Sequence, residues 1–100
     1  MLFGLSIEDR EKINNLFKQF EFVDKVILYG SRAKGNYKPS SDIDITLFGD
    51  NLTLSQLQLI ENEIDDLLLP YKFDVSIYKQ ISNIELIEHI DRVGKVLYMK

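Results

Sequence analysis

The chain has no cysteine among its 100 residues. That excludes disulfide bridges and thiolate metal sites and is compatible with a reducing compartment. Histidine is almost absent, with His89 the only one. No apolar run approaches the length of a membrane-crossing helix. The apolar start, Met1-Leu2-Phe3-Gly4-Leu5, is short and lacks the charged leader and long apolar stretch of a signal peptide, so a cytoplasmic protein is expected. Positive charge is also scarce: 12 Lys and Arg stand against 16 Asp and Glu, a net charge of −4. Proteins that bind nucleic acid are usually basic, so direct nucleic-acid binding is not expected, although one local basic pocket remains compatible. A hydrophobic content of 45% is ordinary for a soluble protein and suits one domain over residues 1–100. A domain of this size holds one core, with little left over to enclose a large substrate.

Hydrophobic spacing gives the element order. Residues 6–20 predict a helix, capped by Ser6 with Asp9 three positions on and an apolar stripe of Ile13, Leu16, Phe17 and Phe20. Lys25–Tyr29 is a short β-branched run that stops at Gly30, as a buried strand does. Residues 30–41 read as a loop, with room for one helical turn after Ser31. Residues 42–48 alternate, with Asp42, Asp44, Thr46 and Phe48 on one face and Ile43, Ile45 and Leu47 on the other. A second helix is predicted over 53–69, with a Thr53/Gln56 capping box, a stripe running from Leu54 through Ile60 and Ile64 to Leu68, and Pro70 as its stop. A third strand, 72–78, carries Asp74, Ser76 and Tyr78 on one face. A third helix opens at Ser82, turns Ile84, Ile87 and Ile90 inward and ends at Gly94, and residues 96–99 form a short edge strand. The fold class is thus α/β (α+β), a small mixed sheet flanked by helices in the order αβ(α)βαβα. The mixture follows from geometry. The glycine turn closes the first strand, whereas Asp42 and Asp44 open the second, so they meet only if these strands are antiparallel neighbours. Asp74 also opens its strand, after a helical crossover that suits a parallel pair.

The chemistry is concentrated in two stretches. The first is Gly30-Ser31-Arg32-Ala33-Lys34-Gly35, followed ten residues after Ser31 by Ser41-Asp42-Ile43-Asp44-Ile45; the second is Asp74 in its strand. Two carboxylates two apart on a strand project from one face, about 6.5 Å apart along the chain. They can converge on one hard cation or on a pair about 3.5–4 Å apart. Oxygen donors with no Cys or His beside them favour Mg²⁺ or Mn²⁺ over Zn²⁺. Gly30 lets backbone approach a phosphate, Ser31 offers a hydroxyl and an N–H, and Arg32, Lys34 and Lys38 bring positive charge to the loop. Each part alone has an ordinary reading: a Gly-Ser turn with solvated basic residues, or a half-exposed strand with Asp outward. No Gly-Lys-Ser/Thr follows, so this is not a P-loop.

Taken together, Leu28-Tyr29-Gly30-Ser31-Arg32-Ala33-Lys34-Gly35, Ser41-Asp42-Ile43-Asp44-Ile45 and the later Asp74 resemble the DNA polymerase β-type nucleotidyltransferase superfamily, and within it the minimal nucleotidyltransferases, or MNT proteins. The resemblance covers essentially the whole chain. Lys34 stands where an arginine often precedes the second glycine. The resemblance implies that Asp42, Asp44 and Asp74 bind two Mg²⁺ ions and carry catalysis, with Asp74 helping to activate the attacking hydroxyl. It implies that Gly30 and Ser31, with Arg32 and Lys34 beside them, hold the triphosphate of ATP. It further implies transfer of AMP to a tyrosine of a helical HEPN toxin, with this protein as the antitoxin and a homo- or hetero-oligomer as its setting. A partner supplying the acceptor suits a chain with little wall of its own. Two alternatives stay open: an idle module that silences its partner by contact, and a transferase for a small molecule.

Some residues are not singled out as functional. His89 reads as a solvated helix residue, Tyr37 as a loop tyrosine or a base-stacking ring, and Tyr78 as edge packing. Leu59 and Leu69 lie off the main stripe of their helix.

Overall fold

A turn at the end of one strand and acids at the start of the next two require a mixed sheet, and a mixed sheet forms. The computed structural model describes residues 2–100; Met1, included in the expected domain, lies outside the described residues. The chain runs α1 (Ile7–Lys18), β1 (Lys25–Tyr29), α2 (Gly30–Lys34), β2 (Ile43–Phe48), α3 (Leu54–Asp66), β3 (Phe73–Ile77), a 3-10 turn (Tyr78–Gln80), α4 (Ile84–Val93) and β4 (Lys95–Met99). The strand order is β3-β2-β1-β4. β1 and β2 are antiparallel, with Tyr29 opposite Asp44. β2 and β3 are parallel, with Asp44 opposite Asp74, and α3 makes the crossover between them. β4 pairs antiparallel with the free side of β1, with a register shift at Val26/Ile27.

Alternation along the strands sorts the side chains into two layers. Val26, Leu28, Ile43, Ile45 and Leu47 join Ile13, Leu16 and Phe17 of α1 and Ile60 and Ile64 of α3 in the main core. Each such aliphatic side chain contributes about 1.5–3 kcal/mol on burial. On the other face, Ile27 and Tyr29 pack against Ile90 of α4. α4 covers only part of that face, and the ends of β2 and β3 that carry the acids are left open.

Helix ends depart from the sequence pattern in detail. Ser6 caps α1 as expected, its Oγ accepting from the Asp9 N–H at 3.0 Å, but the Asp9 carboxylate instead accepts from the Tyr71 hydroxyl. The Thr53/Gln56 capping box is present. α3 ends at Asp66 rather than running to 69, because Leu68 turns left-handed at φ 54° and points into solvent. Asn83, not Ser82, caps α4. Ile84 and Leu54, each the first residue of its helix, are exposed rather than inward. Helical spacing finds the apolar stripe but not how far along it the sheet extends. Gly94 does end α4, with extended rather than left-handed backbone. Glycine is needed there for space, since a Cβ would strike Ile90 O and Ile27 Cγ2.

Candidate active site

β1 ends at Tyr29 and the chain turns at once into the short α2. The turn needs φ +75° at Gly30, which glycine tolerates and side chains resist. A Cβ on Gly30 would also collide with Asp44 Oδ2. Glycine is therefore required for conformation and for proximity, and the turn lies directly on the carboxylate.

The strand register then gathers the acids. Tyr29, Asp44 and Asp74 form one row across β1, β2 and β3. Side chains directly opposite on neighbouring strands stand about 4.5–5.5 Å apart at Cβ. Asp42 immediately precedes β2 and is exposed, as is Asp74, whereas Asp44 is half-buried. Burial, then the charge of Asp74, then that of Asp42, push the Asp44 carboxyl above the usual carboxylate range. Burial likewise raises the Tyr29 phenol, and the charges of Asp74 and Asp44 add to that. Asp44 thus carries the electrostatic strain of this end of the sheet. Among the described residues, no three carboxylate, imidazole or thiol groups close into a chelating cluster. Asp42, Asp44 and Asp74 gather where β2 and β3 begin, at one end of the sheet. Their all-oxygen donor chemistry and mutual repulsion fit a hard divalent cation.

Arg32 is corrected by the structure. Expected from sequence to bring charge to the phosphate, the guanidinium is 1% exposed and faces inward. It donates to Phe3 O at 2.9 Å, to Pro39 O at 3.2 Å and to Ser41 O at 3.1 and 2.9 Å. The rings of Tyr37 and Tyr71 flank it at 5.3 and 5.1 Å. Arg32 therefore ties the N-terminal segment and the loop before Asp42 to α2. Tyr37 faces this cation, which accounts for a ring that sequence left between stacking on a base and solvent. Lys34, exposed in the last turn of α2, and the half-exposed Ser31 remain beside the glycine turn.

His89 is also corrected. It is half-buried, and its Nε2 accepts from the Gly30 N–H at 3.1 Å while its ring stands edge-on to Tyr29, centroids 6.0 Å apart. No local pattern marks this role, because the partner lies 59 residues away. The only sequence signal was that the chain has a single histidine.

Residues 11–100 match the family described as "Polymerase beta, Nucleotidyltransferase". The chain is 30% identical over 90 residues to a protein of Methanocaldococcus jannaschii named as a candidate protein adenylyltransferase, covering 87% of this chain and 89% of that one. The fold is similar to a crystal structure of a toxin–antitoxin with AMP-PNP, at TM-score 0.73 and 21% identity, over 92% of this chain and 74% of that chain. It is also similar to the complex of tri-AMPylated Shewanella oneidensis HEPN toxin with MNT antitoxin, at TM-score 0.66 and 19% identity, over 91% of this chain and 70% of that chain. With the glycine turn, the acid row and nearly the whole sequence matched together, the protein belongs to the polymerase β-type nucleotidyltransferase family.

Proposed function

We propose that this protein transfers AMP from ATP to a tyrosine hydroxyl of a helical HEPN-type partner and thereby acts as its antitoxin. The observation that carries the reading is the register: Asp44 faces Asp74 across β2 and β3, and the Gly30 turn rests on Asp44. The adenylyltransferase relative, the AMP-PNP complex and the AMPylated HEPN complex support the choice of nucleotide and acceptor.

In this reading Asp42, Asp44 and Asp74 hold Mg²⁺, which when bound supplies charge neutralisation for the α-phosphate and the leaving pyrophosphate. Gly30 admits the triphosphate close to backbone, Ser31 donates to its oxygens, and Lys34 adds positive charge. The acceptor oxygen attacks the α-phosphorus, the bond to pyrophosphate breaks, and Asp74 takes the hydroxyl proton. Asp74 suits that role because it is exposed and is the one acid of β3. The site is an open shelf, so the partner completes its wall. Among the described residues, no helix is long and apolar enough to cross a membrane, and we place the protein in the cytoplasm with its ATP.

The test uses α-labelled ATP, the purified protein and its HEPN-type partner. Label should appear on a partner tyrosine, and should be lost with EDTA and with Asp44→Asn. An Asp44→Asn protein that neutralises the partner as well as wild type, with no label transferred by either, sinks the proposal in favour of a contact-only module.

A further inference from the structure

The first N–H groups of a helix have no partner within the helix and are the groups that meet an anion at a phosphate-binding turn. In this protein the first of them is already taken. The Gly30 N–H, which opens α2, donates to His89 Nε2 at 3.1 Å. The ring has little freedom to leave. It stands edge-on to Tyr29 at an interplanar angle of 80°, and the next residue, Ile90, is buried against Ile27 and Tyr29. Gly94 holds the end of α4 tight against Ile27. α4 is therefore fixed to the sheet, and His89 extends that fixed point to the turn.

Gly30 is thus clamped on two sides. His89 holds its N–H, and the Asp44 carboxylate fills the space where a Cβ would be. A shift of a few tenths of an ångström in the turn changes its approach to Asp44 and re-aims Ser31. We infer that His89 is a positioning residue for nucleotide binding: it sets the distance between the glycine turn and Asp44 and leaves the Ser31 hydroxyl and N–H as the donors that meet the triphosphate. This inference rests on the proposed nucleotidyl transfer and adds to it the residue that sets the turn.

Two substitutions separate the hydrogen bond from the ring. His89→Phe keeps an edge-on ring against Tyr29 and deletes the acceptor. His89→Gln removes the ring but places an amide oxygen close to the position of Nε2. Binding of ATP with Mg²⁺ would be measured by calorimetry, alongside exchange of the Gly30 amide by NMR. His89→Phe should weaken ATP binding by about fivefold or less, because the loosened turn must be ordered on binding at the cost of up to one net hydrogen bond, and should deprotect the Gly30 amide. His89→Gln should restore most of both. In turnover assays the His89→Phe defect should be larger in KM for ATP than in kcat. His89→Phe binding ATP as wild type does overturns the inference and leaves the nucleotidyltransferase reading standing. A Phe and a Gln variant equally impaired assigns the effect to ring packing and also overturns it. Wild-type protein that does not bind ATP takes down both readings.

Discussion

Arg32 and Asp44 lie in one stretch of chain and have opposite fates. The Arg32 cation is fully buried, yet four hydrogen bonds to three carbonyls and two aromatic faces satisfy it. Among the described residues, no carboxylate forms an ion pair with it. Carbonyl dipoles and rings carry that charge, and the group acts as a rivet. Asp44 is only half-buried, and its charged neighbours are two more acids. Among the described residues, no opposite charge offsets that repulsion. A charge that the fold compensates serves the fold, and a charge left uncompensated marks where a ligand is expected.

The largest effect is expected at Arg32. Arg32→Ala removes four hydrogen bonds from a buried cation and leaves its space empty, so it should lower stability by about 3 kcal/mol in urea unfolding. Arg32→Lys should recover only part of this, because an ammonium lacks the planar fork that reaches Ser41 O with two N–H groups. If Arg32 instead served the phosphate, Arg32→Ala would spare stability and weaken ATP binding.

On the Asp44 side the signs reverse. Asp44→Asn should lower transfer by more than about 10²-fold, as loss of a preorganised charged group at a reacting centre does. Without metal it should also raise Tm. The folded carboxyl titrates above its unfolded value, so its contribution to stability is fully present below the unfolded pKa and is lost as pH rises through the folded one. Metal-free protein should therefore gain stability on acidification through the upper carboxylate range, and Asp44→Asn should flatten that gain. Mg²⁺ at neutral pH should stabilise wild type more than the variant. Thermal melts across pH, with and without Mg²⁺, check each sign.

The smallest effect is expected at Tyr71, beside Arg32. Tyr71→Phe keeps the ring beside the guanidinium and loses only the 3.0 Å hydrogen bond to Asp9. A change in unfolding free energy of about 1 kcal/mol or less is expected.

The strand polarity was legible in the sequence because the turn ends one strand and the acids begin two others, a constraint independent of side-chain detail. That polarity brings Gly30, Asp44 and Asp74 to one end of the sheet, while the register that sets Asp44 opposite Asp74 comes from the strand pairing. Arg32 was not legible, since a basic residue after Gly-Ser reads the same whether it faces a phosphate or the carbonyls of Phe3, Pro39 and Ser41. His89 was hidden for the same reason: its partner is fixed by how α4 crosses the sheet. α3 ended early because Leu68 adopts a left-handed conformation that its residue type does not announce.

The crossover through α3 has a consequence for the order of assembly. β1, α2 and β2 come from adjacent sequence, so the glycine turn, Asp42 and Asp44 can form together early, whereas Asp74 waits for a long excursion to close. The third negative charge then arrives last, on an edge strand with only β2 to hold it by its ladder. β3 is thus the element whose zipping completes the site and whose local opening dissolves it, so nucleotide and metal would act as a latch on one strand.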